Sequence, residues 1–183
     1  MRATFDQVIH VDVRPIAADE LASVQKTLPP EHPEAHVRRL ADQRSGQVTY
    51  LVAWHEGRAL GHVLVRWGGT TNPELLWKLG RPVDHPYVEA LLVHPAYRCR
   101  SIGSQLLGAA ECLVHARGYQ RIGLAVAVEN VLARALYNRL DYAEAEVGDF
   151  VNYWSYVDEA GREVSETEIC RYLVKPLTSG AAR

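Results

Sequence analysis

Between His94 and Gln105 the chain reads H-P-A-Y-R-C-R-S-I-G-S-Q, and Arg98 and Arg100 stand just before a run with helical apolar spacing: Ile102, Leu106, Leu107, Ala110, Leu113 and Val114. A basic turn feeding a helix start combines unpaired backbone N–H groups, the positive end of the helix dipole and guanidinium charge. That chemistry suits an anion such as pyrophosphate. Gly103, which has no Cβ, would let the backbone come close to the phosphates. Downstream, Asn130, Ala133 and Tyr137 form a second set. Seven residues turn a helix by roughly 700°, so Asn130 and Tyr137 would share a face. The third candidate is Glu89, a carboxylate bounded by apolar residues in the run Val88 to Val93. Desolvation there would raise its pKa and suit it to a base's work. The plain alternatives are an ion pair between Glu89 and a nearby arginine, a core aromatic role for Tyr137 and a capping role for Asn130.

Arg98-x-x-Ser101-x-Gly103, following a strand that ends near Val93-His94-Pro95, resembles the acyl-CoA-binding motif of the GNAT acyltransferase superfamily, written Q/R-x-x-G-x-G/A. Asn130-x-x-Ala133-x-x-x-Tyr137 resembles that family's second motif. Ser101 stands where the first glycine is usual: it would be strained at positive φ, or useful as a cap if it simply opens the helix. Asp141-Tyr142 replaces a common G-F, and aspartate tolerates the left-handed end of a helix.

The resemblance implies an acetyl-CoA-dependent N-acetyltransferase. Acetyl-CoA would lie along Leu91, Leu92 and Val93, over the turn Arg98, Cys99, Arg100, Ser101, Ile102, Gly103 and Ser104, and against Asn130, Ala133 and Tyr137. It implies Tyr137 as the acid for the departing thiolate and Glu89 as the base, acting directly or through water. Backbone N–H near Leu92 or Val93 would hold the oxyanion. The expected acceptor is the amine of a small molecule, attacking the thioester directly. A protein lysine or N-terminal amine, and a non-catalytic acyl-CoA sensor, are the alternatives.

These groups need elements to hold them. Phe5 to Arg14 alternates as a first strand, and Ala17 to Leu28 and Glu34 to Arg44 read as helices around a proline corner at Pro29-Pro30 and Pro33. Val48 to Trp54 and Ala59 to Trp67 form a hairpin over His55-Glu56-Gly57-Arg58. Gly68 to Pro86 is irregular, with a short helical turn at Glu74 to Leu79, and could lie over a substrate. Val88 to Val93 reads as a strand buried on both faces. Arg121 to Val128 is another buried strand, Asn130 caps a helix over Val131 to Leu140, and strands follow at Val147 to Tyr156 and Glu168 to Val174. Thr178 to Arg183 is expected to fray. The order β-α-α-β-β-β-α-β-α-β-β indicates one mixed α/β domain spanning the 183 residues, and it is also the order of the GNAT fold.

Composition excludes several classes. A net charge of −2 gives no global signal for nucleic acid. No run approaches the ~20 apolar residues a spanning helix needs, and the N-terminus lacks a signal-peptide core; an odd cysteine count that suggests no disulfide framework makes a reduced, cytoplasmic setting the expected one. Cys99, Cys112 and Cys170 lack metal-ligand spacing, and no metal is expected. Neither G-K-[S/T] nor G-x-G-x-x-G is present, against a nucleotide-binding turn. His62, His85 and His94 are weaker candidates, and Cys99 has no histidine placed to activate it as a nucleophile. From Arg98 to Arg139 six arginines face two glutamates, which suits an anionic cofactor. From Asp141 to Cys170 nine acidic residues face one arginine, a hairpin that is either simply solvated or attractive to a cationic amine. A homodimer is compatible with everything above.

Overall fold

The computed structural model describes residues 8–28, 34–158 and 160–177. Its strands and helices are β1 (Asp12–Pro15), α1 (Leu21–Thr27), α2 (Ala35–Arg44), β2 (Val48–His55), β3 (Arg58–Arg66), α3 (Pro73–Leu79), β4 (Tyr87–Val93), α4 (Ile102–Ala116), β5 (Arg121–Ala127), α5 (Val131–Arg139), β6 (Ala143–Glu144), β7 (Phe150–Val157) and β8 (Glu163–Pro176). Short 3-10 turns precede α1 and α4. The strands form one mixed sheet in the order β1-β2-β3-β4-β5-β8-β6, with β7 continuing along β8. All neighbours are antiparallel except β4 and β5.

The sheet is covered on both sides. On one face, here the front, Val24, Leu28 and Leu40 of the α1–α2 region meet Tyr50, Val52 and Leu64. Further along it, Leu75 of α3 meets Tyr87, Phe150 and Tyr172. On the back, Ile102, Leu106, Leu107, Ala110 and Val114 of α4 pack on Leu51, Val63, Val65, Val88 and Leu124. Their spacing puts one stripe of α4 against the sheet, and each large side chain so buried contributes about 1.5–3 kcal/mol.

Several expected boundaries move, each for a local reason. The first strand is short because Ile9 and Val11 bond elsewhere: Gln105 Nε2 donates to Ile9 O (2.7 Å) and Val11 N donates to Gln105 Oε1 (3.1 Å). Phe5 lies outside the described residues, as do Pro29, Pro30, Pro33 and the expected tail. The irregular segment after β3 contains a full two-turn helix, α3, capped by the Asn72 side chain and ended by Gly80 at φ +64°. It is no loose cover: Asn72 Nδ2 donates to Val151 O, Glu74 accepts from Val151 N, and Lys78 donates to Asp149 O, which fastens α3 to the outer edge of β7. The final strands are Phe150–Val157 and Glu163–Pro176, longer toward their shared turn than the alternation suggested, and the two-residue β6 has no sequence signal.

The central strand also departs from expectation. It is buried at Tyr87 and Val88 but only partly from Glu89 to Val93. The cause is its parallel neighbour: β5 pairs with β4 only at Tyr87↔Gly123 and Val88↔Leu124. Beyond that the two strands part, and the second half of β4 faces a gap instead of a ladder.

Candidate active site

A fork between β4 and β5 is the frame of the site, and β4 is bent to serve it. Across β3 the register runs Leu64↔Glu89 and then His62↔Leu92, so β4 carries an extra residue, a bulge. Ala90 takes φ +52° there, a conformation that costs a non-glycine residue roughly 1–2 kcal/mol. His94 N donates to Leu60 O (2.9 Å), which sets the phase of the ladder. Alternation then turns the Leu92 N–H toward β3 and that of Val93 into the gap. The Val93 carbonyl points the same way and accepts from Arg98 Nε at 3.2 Å. Of the two expected oxyanion donors, only Val93 faces the opening.

At the mouth of the fork lies the basic turn. Cys99 and Ser101 both adopt left-handed conformations, at φ +61° and +64°. Ser101 forms no side-chain capping bond, so the strained alternative holds and the capping one does not. Such curling turns successive N–H groups toward one concavity, an anion-binding arrangement that adds to the start of the 15-residue α4. Gly103 has a packing reason for lacking a Cβ: one placed there would come within 3.3 Å of Leu136 on α5. Arg139, which neither motif singles out, reaches this turn with Nη2 at 3.5 Å from Ser104 Oγ.

Glu89 sits on the front face, its side chain 30% exposed, with Arg66 Nη2 at 2.6 Å and Nε at 3.2 Å. This forked pair is the arginine pairing named as the alternative. Arg66 lies diagonally across the ladder, two residues beyond Glu89's partner Leu64, within reach of a long side chain. Hydrogen bonding to Glu89 raises the guanidinium's pKa further, so it stays charged.

Tyr137 lies on the back, packed with α4 and the sheet and edge-on to Tyr142 at 5.8 Å. Burial pushes its phenol up to about 12. Asn130 caps α5 by accepting from Ala133 N at 3.1 Å, as expected. Asp141, at φ +64°, ends that helix in the left-handed form foreseen for it. Both motif residues therefore also meet their structural alternatives: Asn130 is a cap and Tyr137 a core aromatic.

The three histidines separate. His62 is buried, and desolvation, with Arg39 and His36 nearby, holds it well below the usual imidazole range and so neutral. His85 is buried at the root of the fork, its Nδ1 2.9 Å from Asp84 Oδ1 and its Nε2 2.6 Å from the Tyr172 hydroxyl. A Cβ on Gly123 would fall 2.3 Å from that hydroxyl, so this glycine on β5 is required by a packed polar clasp. His94 follows β4 and accepts from Ala96 N. The acidic hairpin is less bare than its composition suggests: Arg171, one residue past the counted stretch, pairs with both Glu144 and Asp149, and Asp158 pairs with Arg162. No cluster of three or more metal-ligating side chains occurs among the described residues.

Comparison with known proteins agrees with this geometry. The model of the family described as Acetyltransferase (GNAT) family matches residues 17–142. An N-acetyltransferase from Staphylococcus aureus Mu50 superposes with a TM-score of 0.65 at 13% identity, covering 93% of this chain and 100% of that one. The ribosomal-protein-S18-alanine N-acetyltransferase of Escherichia coli gives 0.62 at 16% identity, over 94% and 97% of the two chains. The PaiA N-acetyltransferase of Thermoplasma acidophilum, solved with coenzyme A, gives 0.58 at 12% identity, over 92% and 99%. At these identities the likeness is one of fold. No curated protein matches the sequence.

Proposed function

The chain belongs to the GNAT acetyltransferase family, and on that footing we propose that it moves acetyl from acetyl-CoA to the amine of a small molecule by direct attack in a ternary complex. The observation that carries this reading is the fork: β4 and β5 pair at two positions only and then part, with the left-handed Cys99–Ser101 turn at the opening. A slim chain can lie between parted strands with its diphosphate at that turn. The residues present fit an acyl-CoA in this respect.

In this reading Arg98, Arg100 and Arg139 surround the phosphates with charge, while the α4 N–H groups bind them. The Val93 N–H, turned into the gap, holds the carbonyl oxygen as charge develops on it. Glu89 receives the acceptor on the front face. An amine of ordinary pKa ~10.4 arrives mostly protonated, so the carboxylate, fixed in place by Arg66, draws the ammonium and takes its proton through water. Tyr137 offers its hydroxyl to the departing sulfur from the back. Among the described residues no hydrogen bond engages that hydroxyl, which leaves it a donor.

The fastening of α3 to β7 favours a small acceptor, since it makes a fixed wall beside the front-face site where a protein substrate would need an open groove. Thiol release with a panel of small amines and N-terminal peptides tests this. Small amines should exceed peptides in kcat/KM by more than about tenfold. The reverse order would replace the small-molecule reading with protein acylation, and binding of acetyl-CoA with no thiol release at all would leave an acyl-CoA sensor.

A further inference from the structure

A second feature lies at the start of β3 and the end of β4. A cavity of about 240 Å³ opens there between the last turn of α1 and the turn that follows β4, and Lys26, Thr27, Arg58, His94 and Tyr97 are among its walls. Its charge is one-sided: Lys26, Arg58 and His94 line it, and among the described residues no carboxylate does. Arg14, Arg66, Arg162, Arg171, Lys78 and Lys175 all have carboxylate partners, whereas Lys26 and Arg58 form no ion pair among the described residues. A larger cavity beside β1 is lined by Asp12, Asp19, Glu20 and Glu56 as well as Arg14, and Arg14 is already bound by Glu20 and Asp12. Its positive charge is met from within; that of the smaller cavity is not met by any carboxylate among the described residues.

The histidine sharpens the point. His94 Nδ1 accepts from Ala96 N at 3.2 Å, so the ring proton of the neutral form sits on Nε2. His94 is therefore a donor at Nε2 in either protonation state. Two cations and a donor around one concavity offer an anion both charge and hydrogen bonds.

We propose that this cavity binds a phosphate or carboxylate group, at a site separate from the diphosphate turn. Two sources share that chemistry: an anionic group on the acceptor, or a terminal phosphate of the coenzyme. The inference rests on the acyl-CoA reading only for these sources; the site itself is defined by its own walls.

Inorganic phosphate is the probe. The protein is titrated with it at constant ionic strength, following the His94 Cε1 proton by NMR, assigned through His94→Gln. The resonance should move saturably, and Lys26→Gln with Arg58→Gln should weaken the apparent affinity at least about tenfold. Both side chains are exposed, so the variant should keep its fold, and single Arg58→Glu provides an independent check with the same expected loss. An absent saturable shift in the native protein, or an equal shift in the variants, overturns the site. Repeating the titration with saturating CoA or 3′-dephospho-CoA assigns the source. Displacement by CoA alone identifies the coenzyme's phosphate, and binding that persists beside CoA identifies the acceptor's group. Because the titration needs no turnover, its failure is distinct from a failure of acetyl transfer.

Discussion

Replacing Tyr137 with phenylalanine removes one hydroxyl and keeps the ring that packs against α4 and Tyr142. Burial pushes the phenol up to about 12, so the group is fully protonated at working pH. The same shift limits it as an acid. A thiol has an ordinary pKa of about 8.5, some 3.5 units lower, so complete transfer of the tyrosine proton to a thiolate is uphill by about 5 kcal/mol at 1.36 kcal/mol per unit. Tyr137 should therefore act as a hydrogen-bond donor to developing charge. Loss of one such donor costs on the order of 10²-fold in turnover, not the 10⁴-fold at the top of the general-acid range. Single-turnover thiol release and calorimetric titration of acetyl-CoA measure the two quantities that matter. The expected result is a rate about 10²-fold lower, affinity changed by less than about twofold, and no tyrosine titration in the rate below about pH 11. A 10⁴-fold loss would refute the argument from burial. An unchanged rate would remove Tyr137 from the chemistry, and lost affinity would make it a wall of the cofactor groove.

Three further outcomes follow from the same geometry. Glu89→Gln should lower turnover about 10²-fold near neutral pH and recover toward alkaline pH, where the amine loses its proton unaided; a pH–rate profile parallel to the native one would exclude Glu89. Gly123→Ala should destabilise the fold by about 2–4 kcal/mol in chemical denaturation, because the new methyl must displace the Tyr172 hydroxyl from His85, and a change under about 1 kcal/mol would show the clasp to be yielding. Burial pushes the Cys170 thiol up to about 12 while Cys99 and Cys112 are exposed, so a thiol reagent at pH 8 should modify two cysteines in the native protein and the third only after denaturation.

Much of the site was legible because it depends on local chemistry. Arg98 to Gly103 read as a turn feeding a helix, and Asn130 as a cap, since the residues that make these features are consecutive or one turn apart. The positive φ at Ser101 was open in the sequence: serine serves a cap and a left-handed residue alike, and only the missing side-chain bond separates them. What the sequence did not show arises between strands. An apolar run such as Val88 to Val93 looks the same whether its neighbour stays or leaves, so the fork and the bulge at Ala90 carry no composition signal. The Arg66–Glu89 pair needed the register of β3 against β4 before either residue could name the other. Arg171 shows the limit of counting charge along a chain, since one residue past the acidic stretch it meets two of the acids.

Direct transfer of acetyl to an amine within the fork is tested most directly by intact-mass measurement beside thiol release. The protein is incubated with acetyl-CoA carrying a labelled acetyl group, first alone and then with an amine that supports turnover. The expected result is unmodified protein in both samples, thiol released only with the amine, and label in the acetylated amine in equal amount. Acetyl-labelled protein that passes its label to the amine would contradict direct attack.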